Sequence, residues 1–220
     1  MPSLKIKRGT RSQLNTAASA SGLAAGEPYL ITDENRIAVG LSTTTYEAFG
    51  KSSEDRLELI SAVAASGASS VTFTNLSSSY SHYILVCPNM YGSSNVALNM
   101  QVSTDNGSTW TSSATYNSIG YKLEGSLAYN QNVSQTSMAL ATYCGSSTVK
   151  ACAYALIFGA GLAQKFMVTW ESYYGNAASG AGYYYKTYNT NHNTTAVNAL
   201  KLYPASGTLT GDFCLYGVKK

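Results

Sequence analysis

The sequence predicts a mainly β protein: a small N-terminal α+β module over residues 1–51, a short helical neck over 52–68 and a C-terminal antiparallel β-sandwich, jelly-roll-like, over 69–220. Three observations predict it. Charge density changes along the chain: residues 1–60 hold seven Lys/Arg and seven Asp/Glu, whereas residues 61–220 hold seven Lys/Arg and only four Asp/Glu. Tyrosine divides two to sixteen across the same boundary, so the two parts present different surfaces and read as separate modules. Beyond residue 69 every segment reads as a short strand, and no long helical period interrupts the run, which disfavours a parallel α/β sheet. A length of 220 residues accommodates a small module plus a domain of about 150 residues.

In chain order, LKIK reads as a short strand. Thr10 then opens a helix as N-cap, and Gln13 three residues on completes a capping box. RSQLNTAASAS is Ala-rich, with Gly22 as its stop. EPYLITDENRIAVG reads as strand, DEN turn and strand, a hairpin. This module has little apolar mass and is expected to need identical neighbours or a partner surface to stay folded. In the neck, Ser53 caps, Glu54 and Asp55 suit a first turn, and Leu57, Ile60 and Val63/Ala64 recur at helical spacing. The neck is either a brief coiled coil aligning several chains or one amphipathic helix lying on its own domain.

Eight strands follow: SSVTFTNL, HYILVCPNM, VALNMQVST, SMALATYC, KACAYALIFGAG, KFMVTWES, AVNALKLYP and DFCLYGVKK. They are separated by Gly, Asn and Ser, as in a sandwich or jelly roll. ACAYALIF is nearly continuous in apolar residues and reads as a central strand covered on both faces.

Composition also excludes function classes. Net charge is +3, weak for gripping a polyphosphate backbone, so no nucleic-acid partner is expected. No apolar run reaches the roughly 18 residues of a membrane-spanning helix. The start, MPSLKIKRGTRSQ, lacks the apolar core of a signal peptide, so synthesis in a cytoplasm is expected. Cys87, Cys144, Cys152 and Cys214 include no CxxC pair. Cys87 and Cys214 read as buried thiols acting as small hydrophobes. Cys144 and Cys152 flank a possible hairpin, and cytoplasmic synthesis argues against a bond between them. No metal or cofactor is expected.

Two stretches resemble parts of bacteriophage fibre proteins. IKRGTRSQLNTAASASGLAAGEPYLITDENRIAVG, with KRGT-R-x-QL, Gly26-Glu27-Pro28 and ITDE-N-R-IAVG, resembles the N-terminal module of many phage fibre and tail proteins. VTFTNLSSSYSHYILVCPNM, STDNGSTW and the closing GDFCLYGVKK resemble the β-sandwich that ends many of them. The resemblance implies a homotrimeric virion fibre or spike, made in a host bacterial cytoplasm. Its N-terminal module would attach to other virion proteins of the tail or capsid and support trimerisation. Its sandwich would bind a host-surface polysaccharide or protein receptor. Such proteins often carry a shaft between the two ends; here it is nearly absent, so the chain resembles a short spike, tail-fibre tip or head fibre.

For catalysis, Glu124 and Glu171 are the one carboxylate pair a polysaccharide depolymerase could use, against the alternative of solvated loop acids or interface partners. No GxSxG or HExxH occurs. Asp105-Asn106-Gly107-Ser108 reads as a structural turn. The basic cluster Lys5, Lys7, Arg8 and Arg11 reads as a solvated face offset by Asp33, Glu34 and Glu47.

The strongest binding signal is ESYYGNAASGAGYYYKTYNTNHNT. It holds Tyr173, Tyr174, Tyr183, Tyr184, Tyr185 and Tyr188, followed by Asn189, Asn191, His192 and Asn193. Aromatic faces stack on sugar rings, while Tyr and Asn polar groups bond hydroxyls. Consecutive residues of a strand point to opposite faces, so only part of the run can face one ligand; the remainder would fill the core or an interface between chains. Trp110 and Tyr91 are further candidates in loops, and Trp170 is expected in the core. The sequence thus supports a non-enzymatic adhesin, with a decoration or connector protein as the second reading and a depolymerase as the third.

Overall fold

The computed structural model describes residues 6–49, 56–94, 96–124, 126–175, 182–192 and 194–220. In the first unit, Met1–Asp55, the capping box is formed: the Gln13 N–H donates to Thr10 Oγ1 (3.3 Å) and the Thr10 N–H to Gln13 Oε1 (2.9 Å). Helix α1 (Arg11–Ser19) follows β1 (Lys7–Gly9). The expected hairpin is β2 (Pro28–Ile31) and β3 (Arg36–Gly40), and a further strand, β4 (Tyr46–Phe49), completes a four-stranded sheet in the order β1-β2-β3-β4. Asn35 supplies the left-handed residue of the hairpin turn, φ 51°. The core is small: Leu14 and Ala18 of α1 pack with Leu23, Tyr29, Ile31 and Ala38. Two members of the basic cluster are paired within the unit. Arg11 pairs with Glu34 and donates to the Tyr46 hydroxyl, Lys7 pairs with Glu27 at 2.9 Å, and the Asp33 carboxylate accepts from the Arg11 backbone N–H. Lys5 lies outside the described residues.

The second unit, Arg56–Lys220, begins with a correction. Residues 57–68 are not a helical neck but β5 (Leu57–Ala68), an edge strand paired with the last strand of the chain. Ser53, Glu54 and Asp55 lie outside the described residues. The apparent helical spacing was short, and Ala is indifferent enough to yield to a ready partner strand. Ile60, Val63 and Ala65 pack on the core from an extended backbone instead.

The remaining strands are β6 (Val71–Phe73), β7 (Tyr80–Gly92), β8 (Leu98–Ser103), β9 (Tyr116–Glu124), β10 (Ser126–Gln135), β11 (Met138–Ala141), β12 (Ala151–Phe158), β13 (Phe166–Gly175), β14 (Gly182–Asn191), β15 (Ala199–Pro204) and β16 (Leu209–Lys219). All eight strands read from the sequence are present. They form an eight-stranded sheet, β10-β9-β14-β13-β12-β7-β16-β5, and a four-stranded sheet, β11-β8-β15-β6. Every pairing within these two sheets is antiparallel. Residues of both sheets share one core, in which Phe73, Met100, Met138 and Leu202 of the small sheet meet Tyr83, Leu85, Trp170 and Phe213 of the large one. Trp170 is fully buried, as expected.

β12 is central in its sheet, yet it is not covered on both faces. Its inward positions are Ala151, Ala153, Ala155 and Ile157, whereas Cys152 and Tyr154 are exposed on the outer face.

All four cysteines are free thiols, Cys87 and Cys144 buried and Cys152 exposed, while Cys214, expected to be buried, is only half-buried because it alternates to the outer face of β16. Burial pushes the Cys87 and Cys144 thiols up in pKa. Asn106 (φ 59°) and Gly107 (φ 91°) make the predicted turn. The Asp105 carboxylate accepts from the Ser103 hydroxyl (2.6 Å) and from the Thr109 N–H and hydroxyl, which lowers its pKa to about 2.

Candidate functional site

The β13–β14 pairing sorts the tyrosine-rich segment. Tyr173 lies opposite Tyr184, Tyr174 opposite Tyr183, and Ser172 opposite Tyr185. Alternation then sends Tyr174, Tyr183 and Tyr185 inward, where all three are buried, and Tyr173, Tyr184 and Tyr188 outward. The inward rings form an aromatic stack: Tyr174 lies 4.8 Å from Tyr183 and 6.2 Å from Tyr185, and Tyr143 meets Tyr174 and Tyr185 edge-on.

Burial corrects two further candidates, and the remaining three lie apart from the tyrosine-rich strands or at their end. Asn189 and Asn191 are core residues, not ligand contacts. Asn189 Oδ1 accepts from the Ser118 hydroxyl (2.5 Å) and its Nδ2 donates to Thr187 Oγ1 (3.0 Å). Exposed His192 follows β14, where its Nε2 meets Asn117 Nδ2 at 2.7 Å. Trp110, in the loop between β8 and β9, lies under the ammonium of Lys201 on β15 of the four-stranded sheet (4.8 Å), whereas Tyr173 is on the eight-stranded sheet. Tyr91, near the end of β7, lies beneath the Lys150 ammonium at 5.8 Å.

What the outer face does bring together comes from six strands. One continuous row of register partners runs Tyr129, Tyr121, Lys186, Glu171, Tyr154 and Val86, across β10, β9, β14, β13, β12 and β7. Lys186 Nζ meets Glu171 Oε1 at 2.5 Å, and the Tyr184 hydroxyl donates to Glu171 Oε2 at 2.8 Å. The Tyr154 hydroxyl also donates to this carboxylate. The Lys186 hydrogen bond, above the other causes, holds Glu171 below the usual carboxylate range. Burial first, and the Glu171 hydrogen bond second, push Tyr184 up to about 12. Both phenols are therefore protonated donors at neutral pH.

Beside this network lies a depression of about 260 Å³. Tyr154, Tyr173 and Tyr184 wall it, Val86, Pro88 and Cys152 line it, and Glu171 is its one ionisable carboxylate. Tyr154 and Tyr173 are 45% and 54% exposed, so their rings are available to a ligand. The depolymerase pair is not assembled along this row. Glu171 aligns with Tyr121 through Lys186, and Glu124 lies three positions further along β9. The Glu124 side chain is outside the described residues.

Tyr154, Tyr121 and Tyr129 were absent from the sequence candidates. Each sits in a strand remote in sequence from the tyrosine-rich segment, and strand register alone makes them its neighbours. A partial signal existed in ACAYALIF, where Tyr154 is the one bulky polar-tipped residue between alanines.

A scan of protein-family models, a search of curated proteins and a search of solved structures each found no match to this chain.

Proposed function

We propose that the chain is a non-enzymatic adhesin of a phage-like particle, a short homotrimeric fibre or spike. In this reading the first unit attaches to tail or capsid proteins, the jelly-roll-like sandwich binds a host-surface glycan, and the protein is made in the host bacterial cytoplasm. One observation carries the binding half: three tyrosines from three adjacent strands wall a shallow apolar depression with a single hydrogen-bonded carboxylate beside it. Aromatic walls suit the C–H faces of a sugar ring, and Glu171 with the Tyr154 and Tyr184 hydroxyls suits its hydroxyls. Weak single sites would be reinforced by several copies per particle.

Glu171 is held ionised by Lys186. That suits a hydrogen-bond acceptor better than a general acid, whose pKa must be raised. The attachment role rests on the sequence resemblance.

The test is a glycan array probed with the full-length protein. Binding to a defined saccharide, lost in Tyr173→Ala with an unchanged melting curve, is the expected result. Failure of the native oligomer to bind host cells or host-surface glycans would overturn the adhesin reading. It would favour a connector protein.

A further inference from the structure

We propose that the depression walled by Tyr154, Tyr173 and Tyr184 takes an uncharged saccharide and turns acidic ones away, and that Glu171 is the residue that sets this selectivity. The selectivity rests on the saccharide-binding reading above and narrows it to one chemical class.

The charges around the depression carry the argument. Ring faces and aliphatic carbon line it, Val86, Pro88 and Ala153 among them, and its lining includes no Lys, Arg or His. Glu171 is its carboxylate, ionised at neutral pH. The ammonium that balances this charge is already engaged. Lys186 Nζ sits 2.5 Å from Glu171 Oε1 and lies over the Tyr188 ring, 5.7 Å from its centre. The phenols at the carboxylate are engaged in the same way, since the Tyr184 and Tyr154 hydroxyls both donate to Glu171. On the Pro88 side, Asn89 Nδ2 donates to the Asp212 carboxylate (2.8 Å) and the Asp212 N–H donates back to Asn89 Oδ1 (2.9 Å). The charge held there is again negative.

A saccharide carboxylate entering the depression would therefore meet apolar walls, engaged donors and a like charge. Moving an ion from water onto carbon without a counter-ion is costly. Like charges brought together across an interface add to that cost. A neutral saccharide meets neither penalty. Its C–H faces lie on the tyrosine rings. A carboxylate accepts at about four positions, and three donors occupy Glu171, so one position remains for a ligand hydroxyl. Glu171 also masks Lys186. Without its negative charge, the same ammonium would be a ready partner for an acidic saccharide.

The test is an array of oligosaccharide pairs that differ only at C6 of one sugar, glucose against glucuronate and galactose against galacturonate, probed with the full-length protein. Cys152 is the reporter of position, because it is exposed and lines the depression. Its alkylation by iodoacetamide is read by mass spectrometry, with buried Cys87 and Cys144 as slow controls. The expected result is a neutral member that binds about tenfold or more tighter than its acidic partner and slows Cys152 alkylation. Glu171→Gln, checked for a cooperative melting curve, should gain binding to the acidic member, and adding Lys186→Met should remove that gain. An acidic member that binds the wild type as tightly as its neutral partner and protects Cys152 would overturn the selectivity while leaving saccharide binding standing, and this comparison needs no variant. A folded Glu171→Gln chain with the wild-type preference would also overturn it, as would neutral binding that leaves Cys152 reactive. A wild type that binds no member of the array would overturn the selectivity together with the saccharide reading.

Discussion

The inner and outer faces of the eight-stranded sheet come from the same strands and draw on similar residue types. Tyr174, Tyr183 and Tyr185 face inward, and Tyr173, Tyr184 and Tyr188 face outward from the same two strands. The inner set is covered by the four-stranded sheet and stacks ring on ring. The outer set is exposed or partly exposed, and one of its hydroxyls, that of Tyr184, donates to Glu171 instead. Composition alone does not separate a core from a binding surface. Coverage does, and coverage is a property of how two sheets of unequal width are stacked.

Substitutions should separate the faces by where the free energy is lost. The largest effect belongs to Trp170→Ala on the inner face. Removing a fully buried indole leaves a cavity and should cost about 3–5 kcal/mol of stability, measured by urea denaturation. A cost under about 1 kcal/mol would mean the inner face is not a packed core. Asn189→Ala should come next, at about 1–3 kcal/mol, because it strands the buried Ser118 hydroxyl. The same denaturation curves would show it, and Asn189→Asp would not restore the loss.

Outer-face changes should leave stability almost untouched and act on binding. Tyr173→Ala, at a 54% exposed position, should shift stability by less than about 0.5 kcal/mol. It should weaken glycan binding tenfold or more. If it destabilised as much as Trp170→Ala, the two faces would not be energetically distinct.

The smallest effect is a pH dependence. Glu171 has its pKa lowered in the folded chain, chiefly by the Lys186 hydrogen bond. A group lowered on folding stabilises above its unfolded value and loses that stabilisation as pH falls through the folded value. Wild-type stability should therefore decline below about pH 4.5, and Glu171→Gln should decline less over the same window. Equal acid limbs for the two proteins would show that the network contributes nothing to folding.

Much of the local structure was legible in the residues. Thr10 and Gln13 announce their capping box because both partners lie within one turn. The eight apolar strands announce themselves because β-branched and aromatic runs between Gly and Asn have few other conformations open to them. The missed strands of the second unit divide. β10, SLAYNQNVSQ, is largely polar, and β5 is rich in Ala and Ser, so neither has a strong period of its own, whereas β9, YNSIGYKLE, does place Ile119, Tyr121 and Leu123 at alternate positions. β14 drew attention as a ligand segment, and its strand character was read only through the alternation of its tyrosines. At the candidate site, the alternation of Tyr183, Tyr184 and Tyr185 was readable, but which face would be covered was not.

By itself, then, the sequence determined the division into a charged module and a charge-poor β domain, the capped helix and most strands. These follow from interactions among residues close in the chain and from side-chain period. The tertiary structure alone decided that residues 57–68 extend as an edge strand, that Tyr154, Lys186, Glu171 and Tyr121 stand in one row, and that Asn189 and Asn191 are buried. The reason is physical: cross-strand register and sheet stacking are set by contacts between residues far apart in sequence, and a short-range period carries no record of which strand will lie next to which.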